Sequence, residues 1–313
     1  MKSSIQPNPA TYSTQRSRSA RRTLLALLAP IVLMPLAGCL SVRVRAVNRT
    51  VIADHVLDST LDQLVQRLDS QYAAVQTMNA KIEITASTGG EHEGEVKDYP
   101  TLTGLVILRK ASDLRVLMQA PVIRSTALDM VSDGKTFKLL IAPPRSKAVE
   151  GVDTCFGPSK TGLQSLRPCI IRDALLIPAK LPDEFVTITQ SSRILPPIKG
   201  KKELVEEPDY DLTVLRTRSD HVLEPIRVIH ISRVTLQPYR QDVFDAQGRI
   251  VTIVTYNHYQ KFGEVDFPMS ILIERPLDEY KLNLAVSKLT LNQKVDDDAF
   301  VFKFPEGLPV EKM

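Results

Sequence analysis

Apolar residues at Leu61, Leu64, Val65, Leu68, Tyr72 and Val75 recur at spacings of three and four behind Asp58 or Ser59 as an N-cap, which predicts one amphipathic helix with a single buried stripe. Beyond Thr77 the period shortens to two. Met78–Thr85, Leu102–Arg109, Leu114–Gln119, Ser125–Ser132 and Thr136–Ile141 are short runs rich in Val, Ile, Leu and Thr between turn signals, and predict strands. Ser132-Asp133-Gly134-Lys135 is the best hairpin turn among them, since Asp-Gly tolerates positive φ, and Pro143-Pro144 closes the series. Leu166–Ile177 predicts a short, strongly apolar helix that starts near Pro168 and stops at Pro178. A strand is expected at Glu184–Thr189, then an exposed loop over Ser192–Tyr210, where three Pro accompany runs of Lys and Glu. Strands return at Tyr210–Arg218, Arg227–Thr235, Tyr239–Asp245, Arg249–His258, Met269–Glu274, Lys281–Lys288 and Ala299–Phe304.

Short connections between successive strands demand antiparallel pairing, so the fold class is α+β, a long antiparallel sheet with segregated helices. Several strands offer aliphatic side chains on both faces: Val106 and Leu108 oppose Leu105 and Ile107, and Val254 and Tyr256 oppose Val251 and Ile253. Two helices are too few to cover a dozen strands, so the sheet is expected to curl around them as an unclosed half-barrel with an apolar concavity under a helical lid. The alternative is that the excess simply fills a closed β core. With no Trp and 5% aromatic residues, either interior is mainly aliphatic.

The N-terminal stretch has a different character. Met1–Gly38 carries Lys2, Arg16, Arg18, Arg21 and Arg22 with no acid, and its Thr23–Gly38 part is uncharged and apolar. Sixteen helical residues reach only about 24 Å, short of the roughly 30 Å hydrocarbon core, so a secretory leader fits better than a spanning anchor. Leu36-Ala37-Gly38-Cys39 resembles the bacterial lipobox, which makes Cys39 the expected lipidated N-terminus; a plain signal peptide with a chance Cys is the other reading. Leu40 stands where inner-membrane retention signals place Asp, which favours the outer membrane, with the body in the periplasm. Without residues 1–38 the chain has 35 basic against 36 acidic residues, a charge of −1, and nothing points to nucleic acid. Cys155 and Cys169 form an even pair in an exported chain, open to being a disulfide or two free thiols; a disulfide closing about 15 residues would contribute about 3 kcal/mol.

The lipobox, the helix, the meander containing Asp129-Met130-Val131-Ser132-Asp133-Gly134-Lys135, the later Tyr239–Arg249 hairpin and the ending Val295–Gly307 together resemble the LolA/LolB superfamily of periplasmic lipoprotein carriers. The resemblance implies an unclosed barrel over residues 57–308 that holds acyl chains under a lid. Around it the expected organisation is a leader 1–38, a tether 39–56, an inserted segment 145–182, the loop 192–210 and a tail 309–313. The expected cavity lining is Val106, Leu108, Leu117, Leu128, Met130, Leu139, Ile253 and Ile271, and the expected lid Ile170, Ile171, Leu175 and Leu176.

Enzyme signatures are missing from the sequence: there is no Gly-x-Ser-x-Gly, no phosphate-binding glycine loop, and the five His lack HExxH spacing, so no cofactor or metal is expected. The function so read is a lipid-anchored periplasmic protein that takes acyl chains of lipoproteins or lipids for transfer or outer-membrane insertion. The second reading is an envelope sensor or assembly scaffold of the same fold that binds a protein partner.

Overall fold

The computed structural model describes residues 50–53, 55–121, 125–142, 146–156, 166–196, 203–218 and 221–312. The expected leader, Cys39 and the first part of the tether lie outside them, as does most of the Cys155–Cys169 stretch.

Sixteen strands form one sheet: β1 Thr50–Ile52, β2 Thr77–Gly89, β3 Val96–Asp98, β4 Leu102–Arg109, β5 Asp113–Gln119, β6 Thr126–Ser132, β7 Thr136–Ile141, β8 Lys147–Val152, β9 Glu184–Leu195, β10 Leu204–Thr217, β11 Leu223–Ser232, β12 Pro238–Phe244, β13 Ile250–Phe262, β14 Val265–Arg275, β15 Tyr280–Leu291 and β16 Val310–Lys312. Two antiparallel meanders make up the sheet, β2 with β4–β8 and β9–β15. They join where β15 pairs with β2 from Tyr280↔Thr88 to Leu291↔Met78. Among the described residues the two ends, β16 beside β8 and β9 beside β10, pair with nothing further, and the sheet is open. Two pairings are parallel, β1 with β10 and β16 with β8, and the sheet is therefore mixed.

Helix α1 spans Leu61–Ala74. Its N-cap is Thr60 and not the expected Asp58 or Ser59: Thr60 Oγ1 accepts from Gln63 N at 3.3 Å, and Gln63 Oε1 accepts from Thr60 N at 2.9 Å, a reciprocal capping box. Leu64, with Leu61, Val65 and Leu68, packs on Tyr210, Leu212, Val214, Ile229 and Ile231 of β10 and β11. At the other end Asn292 Nδ2 donates to Ala74 O and its Oδ1 accepts from Gln76 N, both at 2.7 Å, tying the turn into β2 to the end of β15. Helix α2, Pro168–Leu175, begins on a proline, as its sequence requires, and buries six of its eight residues. All of these but Pro168 join the main core formed by inward residues of β2, β4–β8 and β13–β15.

Three expectations are corrected. The Ser192–Tyr210 loop is strand at both ends: β9 runs on to Leu195, and β10 begins at Leu204, pairing Glu207 with Arg193 and Pro208 with Ser192. Charge on an exposed sheet surface imitated a loop there. Pro143-Pro144 does not end the first meander, because β8 follows within the segment read as an insertion and pairs with β7. Ala299–Phe304 is not a strand; Asp297–Phe300 is a 3-10 turn, and the last strand is β16, in the part read as a tail.

Charged residues hold the outer face. Arg115 forms a bidentate pair with Asp129 at 2.8–3.0 Å and also donates to Ala299 O at 2.9 Å, so the C-terminal segment crosses β5. His230 on β11 lies between Asp211 of β10, at 2.7 Å, and Asp242 of β12, at 3.4 Å, with Arg240 bonded to Asp242 and the Tyr239 ring 5.9 Å away. Burial alone would lower the His230 pKa, but hydrogen bonds to Asp242 and Asp211 outweigh it and hold the value above the ordinary 6.5. A pKa raised by folding stabilises fully below the unfolded value, and that contribution fades as pH rises through the folded one. His230→Gln should therefore lower the thermal midpoint by about 2–4 °C at pH 6, for a contribution of about 1 kcal/mol, and by less at pH 9. A deficit that grows with pH would refute this assignment.

Candidate functional site

The inner face of the sheet is assembled by alternation. On β5, Leu114, Val116 and Met118 point inward while Arg115, Leu117 and Gln119 point outward. On β6, Leu128, Met130 and Ser132 share the inner face, and Met130 and Leu139 stand side by side in register. Val106, Leu108, Met130, Leu139 and Ile271 are all fully buried in the main core, with Leu128 packed at its margin. Ile170, Ile171 and Leu175 of α2 are buried against the same core, and Leu176 packs beside them.

Two expected lining residues do not belong. Leu117 is on the outer face beside Arg115, and Ile253 is on the outer face in register with Asp242 and Glu274; the inward residues of these strands are Val116 and Met118, and Val254 and Tyr256. For β5 the signal was available, because Arg115 and Gln119 mark the face that Leu117 shares. In β13 both faces carry aliphatic residues, and only the neighbouring strands decide.

The concavity is not an open hollow. Helix α2 fills it, leaving about 70 Å³ on one flank, between Leu68, Tyr72, Leu176, Tyr256 and Phe267, and about 120 Å³ on the other, between Ile170, Ala174, Arg227, Gln241 and Val254. Both are well below the roughly 300–1,000 Å³ of a ligand pocket. A wider space of about 330 Å³ lies by the C-terminal end of α2, bordered by Tyr72, Lys110, Arg172, Leu176 and Leu181. There Lys110 Nζ sits 3.7 Å from the centroid of the Tyr72 ring and donates to Tyr72 O; desolvation pushes its pKa down.

The two ends of α2 are held very differently. At its N-terminus, the buried carboxylate of Asp153 accepts from Cys169 N at 2.9 Å, Ser132 Oγ at 2.6 Å and Arg172 Nη1 at 3.2 Å. This remote residue stands in for the N-cap that Arg167 does not supply. Cys155 and Cys169 are paired at the same end, their Cα atoms 5.4 Å apart, within disulfide range. Beyond the C-terminus, Leu176 and Ile177 make apolar contacts, and the chain leaves through Pro178. The sequence showed the two cysteines but gave no pointer to Asp153.

Among the described residues no three His, Cys, Asp or Glu side chains converge on a metal site, and no helix is long and apolar enough to cross a membrane. Fold and site together define an open, mostly antiparallel half-barrel whose concave face is covered by α1 over β10 and β11 and plugged by the short α2 in the main core. No protein-family model and no curated protein matches the sequence. Among solved structures the chain is similar to a LolA superfamily protein from Nitrosomonas europaea, at 12% identity and TM-score 0.47, covering 78% of this chain and 99% of that one. It is also similar to a DUF1329 family protein from Desulfovibrio piger (15% identity, TM-score 0.49, 76% and 94% covered) and to a putative outer membrane lipoprotein-sorting protein domain from Vibrio parahaemolyticus (11%, 0.43, 75% and 95%).

Proposed function

We propose that the protein is a lipid-anchored carrier of the bacterial periplasm, held at the outer membrane through Cys39, that accepts acyl chains of lipoproteins or lipids when α2 leaves the concavity. One observation carries the reading: the aliphatic inner face formed by β2, β4–β8 and β13–β15 is covered by an eight-residue helix fixed at one end, while α1 lies over β10 and β11. Ile170, Ile171 and Leu175 are each worth about 1.5–3 kcal/mol in burial, and a methylene about 0.8, so roughly ten methylenes replace what the helix contributes. Exchange of helix for chain is then close to isoenergetic and needs no nucleotide. The Cys155–Cys169 disulfide, formed in the oxidising periplasm, keeps the displaced helix within reach of its seat.

The scaffold reading is favoured by the small residual cavities and by Phe185, Val222 and Leu223, which are exposed around the β9–β11 margin. Native mass spectrometry of the mildly extracted protein separates the two. Acyl lipid or lipoprotein released from the purified protein supports the carrier; a lipid-free protein that captures a protein partner supports the scaffold.

A further inference from the structure

We infer that the inner face of β12 and β13 carries a polar subsite for the head of an uncharged acylglycerol, one offering a hydroxyl donor and an ester carbonyl. This rests on the carrier reading above and names the class of ligand.

Gln241 is 1% exposed, lines the 120 Å³ cavity beside α2, and its Oε1 has no hydrogen-bond partner. Val254 stands beside it in register, and two residues further along the same inner face is Tyr256, whose buried hydroxyl is also without a partner and lines the cavity on the other flank. Buried polar atoms are nearly always paired, and leaving one unpaired costs about 1–3 kcal/mol. Here an acceptor and a hydroxyl sit on adjacent strands, both facing the space α2 occupies. Burial pushes the Tyr256 pKa well up, so the phenol stays a donor. A guest hydroxyl would donate to Gln241 Oε1, and a guest ester carbonyl would accept from Tyr256. At about 10–15 Å³ per water the 120 Å³ cavity holds several waters, and a head that reaches both Gln241 and Tyr256 enters once α2 has moved from between the two flanks.

Charge selects against an anionic head. The two guanidiniums in the cavity wall, Arg216 and Arg227, lie 3.0 and 3.6 Å from the buried Glu184 carboxylate. Asp183 is 3.5 Å from Arg216, and Glu224 stands opposite it in register. A carboxylate or phosphate entering here meets three carboxylates, Glu184, Asp183 and Glu224, around two guanidiniums, although Arg216 Nε and Glu224 Oε2 make no hydrogen bond.

The test is calorimetric titration of the lipid-anchored mature protein in nanodiscs, with empty nanodiscs as blank, using monooctanoylglycerol, octanoate and octyl phosphate. The glycerol ester should bind at least tenfold more tightly than either anion. Gln241→Leu and Tyr256→Phe should each remove most of that preference while octanoate binding stays within twofold of wild type. Both variants remove an atom that is unpartnered in the unloaded protein, so their thermal midpoints should equal or exceed the wild-type value. Equal affinity for the three heads, tighter binding of an anion, or an unchanged preference in both variants would overturn the subsite and leave the carrier standing. Failure of all three probes to bind would overturn both.

Discussion

Met130→Lys is expected to unfold the domain, whereas Ile253→Lys is expected to cost less than about 1 kcal/mol. Met130 is fully buried between Val116 and Leu139 in the main core, with no acidic partner in register on either side. An ammonium there must be desolvated unpaired or lose its proton, and buried Lys pKa values fall by up to about 3–5 units, each worth about 1.4 kcal/mol. With the lost thioether packing added, the penalty reaches the about 5–15 kcal/mol that holds a domain folded. Ile253 faces outward between Asp242 and Glu274, where a lysine finds two carboxylates. Urea titration of the two variants reads the difference. Comparable stability of both would mean that the faces of β6 and β13 are assigned wrongly.

Asp153→Ala should detach the N-terminus of α2 and lower stability by about 3–5 kcal/mol, the usual consequence of removing one partner from a buried ion pair. Three donors converge on this carboxylate, from the first turn of α2, its Arg172 and Ser132 at the end of β6, so its loss unties helix from sheet in one step. Reduction of Cys155–Cys169 should compound the effect, since the loop-closing constraint of about 3 kcal/mol then disappears as well. Amide exchange in residues 169–175 should accelerate far more than in β2 and β15. Uniform acceleration throughout the sheet would show that Asp153 supports the whole core and is no local fastening of the helix.

The parts of this fold legible in the sequence were those governed by short-range periodicity. α1, α2, β4 and β7 were readable to within a residue or two because each is bounded by a cap, a proline or an Asp-Gly turn. What failed depended on pairing, which the pattern within one segment does not show. β9 and the start of β10 look like a polar loop until they are paired with each other, β8 is recognised by its pairing with β7, and β16 by its parallel pairing with β8 far back in the chain. Of the two misassigned lining residues, Ile253 lies on a strand with aliphatic side chains on both faces, which does not declare its phase, whereas Arg115 and Gln119 did mark the face of Leu117; in either strand a one-residue error reverses every side chain. The polar fittings of the site, Asp153 at the helix terminus and Gln241 and Tyr256 beneath the helix, are isolated residues without a motif. Their roles arise where β8, β12 and β13 bring them under α2.

Hydrogen exchange on α2 with and without a bound acyl chain tests the displaceable helix most directly. Loading the lipid-anchored protein with a long-chain lipid should strip protection from the amides of residues 169–175 while β4–β7 and β13–β15 keep or gain theirs. A protein that takes up the chain with α2 as protected as before, or that takes up none, would contradict the exchange of helix for hydrocarbon.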